Sequence, residues 1–131
     1  MTTVITFGTF DVVHIGHIRI IDRAARYGDR LVVGVSSDAL NESKKGRKPV
    51  YPQQERMEIV AALRAVDAVF LEESLELKAD YIREHGADIL VMGADWEGRF
   101  DHLAELCRVV YLPRTEGVST TGLIHEIKKY E

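Results

Sequence analysis

Five short apolar runs recur along the chain: "TVITF" (3–7), "RLVVGVS" (30–36), "DAVFL" (67–71), "DILVMG" (88–93) and "RVVYL" (108–112). Longer segments with apolar residues at helical spacing separate them, as Ile18, Ile21 and Ala25 illustrate in "HIRIIDRAARYG". This alternation constrains the fold more than any other feature. Runs that lack polar alternation suit strands covered on both faces, and helix-length connections between them require crossovers and parallel pairing. The expectation is a five-stranded, mostly parallel α/β sheet.

Local punctuation sets the boundaries. Gly28 and Gly86 stand where helix C-terminal glycines belong, Pro52 suits the first turn of a helix, and Ser119 or Thr120 can cap the last one. The stretch "SDALNESKKGRKPVY" (37–51), rich in Lys, Gly and Ser, reads as a mobile loop beyond the second strand. At 131 residues with no repeat or linker, the expected organisation is one domain, 1–131.

Composition removes several classes of function. A net charge of −4 argues against broad nucleic-acid binding, which leaves a basic footprint. No run is long and apolar enough for a membrane span, and "MTTVITFGTF" lacks the pattern of a secretory signal, so a cytoplasmic protein is expected. Cys107 is the only cysteine, which excludes an internal disulfide and leaves core packing as its expected role.

In an open parallel sheet, ligands bind beyond the carboxyl ends of the strands where strand order reverses. Three strand-to-helix loops therefore matter: "GTFDVVHIGH" (8–17), "GADWEGRFD" (93–101) and "PRTEGVSTT" (113–121). In the first, Gly8 and Gly16 permit close backbone approach, and His14 and His17 flank a helix start whose free N–H groups attract an anion. Imidazoles there can donate to phosphate oxygens during phosphoryl or nucleotidyl transfer. The bland alternative is that both histidines only cap and pack the helix. A zinc site is disfavoured because only His85, His102 and His125 remain as further histidines.

The last loop places Arg114 just after a strand and Ser119, Thr120 and Thr121 at a helix start, which makes a second anion site, although Ser-Thr-Thr is also an ordinary cap. Two anion sites on adjoining loops suggest a triphosphate. In the middle loop, Gly93 and Asp95 close a buried strand where a carboxylate can hold ribose hydroxyls, and Trp96 either faces a base or packs in the core. Lys44, Lys45, Arg47 and Lys48 form either a solvated charge run or a basic lid over polyphosphate.

The segments "GTFDVVHIGH" and "RTEGVSTT" together resemble the H-x-G-H nucleotidylyltransferase superfamily in its cytidylyltransferase branch. Within that branch, "VITFGTFDVVHIGHI", "LVVGVSSD", "VMGADWEGRFD" and "VVYLPRTEGVSTT" resemble the bacterial glycerol-3-phosphate cytidylyltransferase family in order and spacing. The resemblance implies a Rossmann-like, doubly wound domain with helices on both faces, forming a homodimer. The implied reaction joins CTP, with Mg²⁺ or another divalent cation, to a small phosphorylated alcohol such as glycerol 3-phosphate, releasing pyrophosphate. Its usual setting is the supply of a wall teichoic acid precursor.

Carried onto this sequence, the resemblance makes His14, His17, Lys44 and Arg114 catalytic. It assigns Gly8, Thr9, Phe10, Gly16, Arg64, Gly93, Asp95, Thr115, Ser119 and Thr120 to the nucleotide, and Asp11, Lys44 and Arg56 to the acceptor; it leaves the metal ligands unassigned. Ala94 stands where a second acidic residue is common, Leu75 where a tryptophan is expected, and the loop "KKGRKPVYPQQER" differs in length and composition. Those departures leave other acceptors open: ribitol phosphate, a phosphonate or phosphocholine. An adenylyltransferase of the same superfamily and a non-catalytic nucleotide-binding module are the remaining alternatives.

Overall fold

The computed structural model describes residues 1–130. Five strands, β1 (Thr3–Gly8), β2 (Arg30–Ser36), β3 (Ala68–Glu72), β4 (Ile89–Gly93) and β5 (Arg108–Leu112), form one sheet in the order β3-β2-β1-β4-β5. Every pairing is parallel. The expected apolar runs are the strands, and β1, β2 and β4 are buried almost throughout because both faces are covered.

Helices α1 (Ile15–Ala25) and α3 (Gln53–Ala61) contribute Ile21, Ala24 and Val60 to the core on one face, beside Val4, Val33 and Val91 of the sheet. On the other face α4 (Lys78–Glu84) and a 3₁₀ segment, Asp101–Glu105, pack Ile82 and Leu103 against Ile5, Phe7 and Leu90. The last helix, α5 (Thr120–Lys128), follows β5. Cys107 is buried in the second cluster, as core packing requires.

The stretch 37–51 departs from expectation. Residues Asp38–Lys45 form a helix, α2, capped by the Ser37 hydroxyl, which accepts the Leu40 N–H at 3.0 Å, and closed by Gly46 at φ 76° in the left-handed region. Its two ends are well specified, but Asn41 is its only buried residue, so no apolar stripe advertises it. Only 46–52 remains irregular, a strap leading to α3.

The chain winds β1 to β2 to β3 in one direction and then returns to place β4 on the far side of β1. The loops after β1 and β4 therefore diverge at the carboxyl edge, and the crevice between them is the place a ligand is expected.

Candidate active site

A cavity of about 400 Å³ opens at that edge. Its walls include Gly8, Thr9, Phe10, Asp11, His14, Gly16 and His17 from the first loop, Gly93, Asp95 and Trp96 from the fourth strand's loop, and Arg114, Thr115, Ser119 and Thr120 from the last. The three loops singled out in the sequence meet here. The Thr120 hydroxyl donates to the Asp11 carbonyl at 2.8 Å, bonding the first and last loops directly.

The histidines occupy the start of α1. His14 is the N-cap: its Nδ1 accepts the Gly16 N–H at 3.0 Å, and the Nδ1 of His17 accepts the His14 N–H at 3.1 Å. Each Nδ1 is thus an acceptor, so the proton of each neutral ring sits on Nε2. Burial, then repulsion from His14, push the His17 pKa down to about 4 against the opposing pull of Asp11. Burial and Arg114 lower that of His14. Both rings are neutral at pH 7 and lie against each other with centroids 3.9 Å apart, tilted by 32°. Capping uses Nδ1 and leaves the Nε2–H of each ring to donate, so the two uses do not compete for the same nitrogen.

The spacing H-x-G-H follows from the same geometry. A Cβ on Gly16 would lie 2.8 Å from His14 Cε1 and 3.0 Å from its Nδ1. Glycine at this position makes room for the ring that caps the helix.

The preceding turn is strained: Phe10 and Val12 have φ of 52° and 47°, a conformation rare for a β-branched residue. Several bonds impose it. Asp11 accepts the Val50 and Tyr51 N–H groups at 2.7 and 2.9 Å, and Arg56 Nη1 donates to the Thr9 carbonyl at 2.8 Å. Phe10 anchors in the core.

Arg56, expected at the acceptor, has no exposed surface. Its guanidinium donates to the carbonyls of Thr9, Ser36 and Tyr51 and to the Asp38 carboxylate at 2.7–2.9 Å. It ties β1, β2, α2 and the strap together and is not a cavity wall. Arg64 also lies away from the cavity, exposed beside a shallow hollow with Ile18, Ile21, Asp22 and Leu63. Lys44 is not itself a lining side chain: its ammonium lies 5.8 Å from the centre of the ring of Trp96, a wall residue, and desolvation lowers its pKa against the pull of Glu72. The neighbouring Lys45, Arg47 and Lys48 line the cavity instead. One residue step along α2 turns a side chain by about 100°, which separates Lys44 from Lys45.

Asp95 forms an exposed ion pair with Arg114 at 3.5 Å. Such a pair is worth little and exchanges readily for a stronger anion. Ser119 caps α5 through its hydroxyl, which accepts the Gly122 N–H at 2.9 Å, and still lines the cavity.

Sequence reasoning passed over two features. Asn41, 1% exposed, reaches the cavity wall from α2, and Lys78 pairs with Glu72 in the core below Phe7. Neither belongs to a recognisable motif; Lys78 after "ESLEL" looks like an ordinary polar helix position.

Among the described residues, no group of three or more His, Cys, Asp or Glu side chains is arranged to hold a metal ion. The cavity carboxylates are Asp11, which accepts two backbone N–H groups, and Asp95, which is paired with Arg114. This donor set does not build a resident metal cage. No helix among the described residues is long and apolar enough to cross a membrane.

Comparison with known proteins places these observations in a family. The cytidylyltransferase-like family matches residues 5–127. A glycerol-3-phosphate cytidylyltransferase of Bacillus subtilis (strain 168) is 48% identical over 127 residues, covering 97% of this chain and 98% of the relative. One from Staphylococcus aureus (strain NCTC 8325 / PS 47) is 42% identical, covering 97% and 96%. Among solved structures, a lipopolysaccharide core biosynthesis protein from Thermoplasma volcanium GSS1 has the same fold, with a TM-score of 0.75 at 24% identity, covering 88% of this chain and 99% of that one.

Proposed function

The chain belongs to the cytidylyltransferase-like family, and from that membership we propose that it joins CTP to glycerol 3-phosphate, giving CDP-glycerol and pyrophosphate. One observation carries the reading to this chain: two neutral imidazoles with free Nε2–H groups share a cavity with Arg114 and the start of α5. That is the set of donors a triphosphate needs.

In the proposed reaction an anionic oxygen of the acceptor phosphate attacks the α-phosphorus of CTP in line. The new P–O bond forms as the bond to the β-phosphate oxygen breaks, and the electron pair leaves on pyrophosphate. The attacking oxygen is already deprotonated, so no general base is required, and the cavity supplies alignment and charge stabilisation. His14 and His17 donate Nε2–H to the phosphate whose charge grows, while Arg114 receives the departing end after leaving Asp95. Gly8 and Gly93 leave room for close backbone approach, and Asp95, freed from its pair, takes a ribose hydroxyl.

A divalent cation enters as the counterion of CTP, since Mg²⁺ is commonly held by substrate phosphates and water. Lys45 at the end of α2 and the strap cations Arg47 and Lys48 are suited to the acceptor phosphate. The reading further takes a single domain, 1–131, from the length of the chain, a cytoplasmic location from the sequence features given above, and a homodimer from the family resemblance.

Pyrophosphate release tests the proposal. The enzyme is incubated with CTP or ATP against glycerol 3-phosphate, ribitol 5-phosphate, phosphocholine and a hydroxyalkyl phosphonate. Release with CTP and glycerol 3-phosphate in preference to every other pair is expected. Preference for ATP, or binding of CTP with no release on any acceptor, overturns it.

A further inference from the structure

We infer that Tyr111 is a positioning residue for the nucleotide: its hydroxyl clamps the loop after β4 so that Asp95 and Trp96 stand in the cavity wall, an inference that rests on the transfer reaction proposed above. Tyr111 lies in β5 opposite Met92 of β4, and its ring packs against the second core cluster, as Trp96 does. Its hydroxyl reaches the loop twice. It accepts the Phe100 N–H at 3.0 Å and donates to Asp101 Oδ1 at 2.9 Å.

Those two bonds fix the far end of a segment whose start is fixed by the sheet. The loop leaves β4 at Gly93 and turns twice, with the Glu97 N–H on the Ala94 carbonyl at 3.0 Å and the Arg99 N–H on the Trp96 carbonyl at 2.9 Å, before passing through Gly98 at φ 83°. Phe100 then opens the 3₁₀ segment Asp101–Glu105, and its own side chain gives no cap. The Tyr111 hydroxyl anchors this junction. Phenylalanine would fill the same core position in "RVVYL", so packing does not account for the oxygen, whereas its two partners do. The tail of "GADWEGRFD", to which no chemistry attaches in the sequence, thereby acquires a use through Phe100 and Asp101.

The clamp is passed to the cavity by aromatic packing. Phe100 is 8% exposed, and its ring centroid lies 5.5 Å from that of Trp96. Trp96 and Asp95 line the cavity, and Asp95 carries the ion pair to Arg114. Without the hydroxyl, the Phe100 N–H and the Asp101 carboxylate turn to water, and packing alone holds the far end of the wall. His14, His17 and Arg114 stand on other loops. Tyr111 therefore acts on how the nucleoside end is bound, and the phosphate step keeps its donors.

The experiment uses Tyr111→Phe in the intact enzyme with three readouts: calorimetric affinity for CMP, kcat for pyrophosphate release from CTP with glycerol 3-phosphate, and the fluorescence of Trp96, the only tryptophan. CMP binding should weaken by about 3- to 10-fold, the range of one net hydrogen bond, while kcat stays within about two-fold. Trp96 emission should move to longer wavelength and be quenched more readily by acrylamide. Asp101→Asn, which keeps an oxygen for the hydroxyl to reach, should stay near wild type in all three readouts, and Asp101→Leu should follow Tyr111→Phe. Wild-type CMP affinity in Tyr111→Phe, whatever its emission, overturns the inference, and so does a loss confined to kcat. A wild type that binds CMP but transfers to no acceptor overturns the underlying reading and leaves the clamp to be decided by CMP affinity and emission; one that binds no CMP overturns both.

Discussion

Replacing Gly16 by alanine should reverse the sign such a change normally has in a helix. Gly16 is the second residue of α1, and glycine in a helix ordinarily costs about 0.5–1 kcal/mol relative to alanine. Here the added methyl would fall 2.8 Å from His14 Cε1, 3.0 Å from its Nδ1 and 3.1 Å from Val118 Cγ1. The ring must move, and the bond it accepts from the Gly16 N–H goes with it. Losing a cap costs about 0.5–2 kcal/mol, and forcing a methyl into a packed site about 1–3 kcal/mol. After subtracting the gain in helix propensity, a net loss of about 2 kcal/mol remains, or a fall in Tm of roughly 6–10 °C for a chain of this size. Because the displaced ring carries Nε2–H with it, kcat should also fall by about 10²–10³-fold. Scanning calorimetry and a pyrophosphate-release assay on the Gly16→Ala enzyme measure both quantities. A Tm at or above that of wild type with unchanged turnover would refute the claim that glycine is there for the ring.

Three further outcomes are expected. The His17 pKa is about 4 in the folded chain against an ordinary value of 6.5, so the unfolded chain binds the extra proton first as pH falls. This contribution is complete above pH 6.5 and is lost progressively down to pH 4, by at most about 3 kcal/mol. Urea melts at pH 7 and pH 4.5 should show a smaller pH dependence for His17→Asn, whose side-chain oxygen can accept the same N–H; an equal dependence contradicts the assignment. His17→Ala should keep the fold by circular dichroism and lose at least about 10²-fold in kcat. Arg56→Met should destabilise by about 2–3 kcal/mol in urea, because it removes at one stroke the donor shared by the Thr9, Ser36 and Tyr51 carbonyls and the Asp38 carboxylate; stability within 0.5 kcal/mol of wild type, a change typical of a plain surface substitution, would deny Arg56 its tying role.

The sheet was legible because burial on both faces leaves strands with no polar alternation, and those five runs are conspicuous. The three loops followed from one rule about the carboxyl edge of parallel sheets, and 13 of the candidate residues indeed line one cavity. What sequence could not convey was orientation within an element. Lys44 and Lys45 are adjacent in a Lys-rich run, and only the phase of α2, a helix hidden by its polar composition, decides which faces the cavity. Arg56 carries the charge expected of an anion site, yet four acceptors from distant segments enclose it. Asn41 lies in no motif, and its place beside Thr9 depends on a contact across 32 residues. Motifs report groups that are near in sequence; these three depend on segments brought together by the sheet.

The central claim is that the first and last crossover loops hold one triphosphate between them. Calorimetric titration of CTP and CMP into wild type, His14→Ala and Arg114→Ala measures it directly. Wild type should bind CTP far more tightly than CMP, and each variant should lose most of that difference while its CMP affinity changes little. A variant from either loop that keeps the wild-type ratio of CTP to CMP affinity would show that its loop does not hold the phosphates.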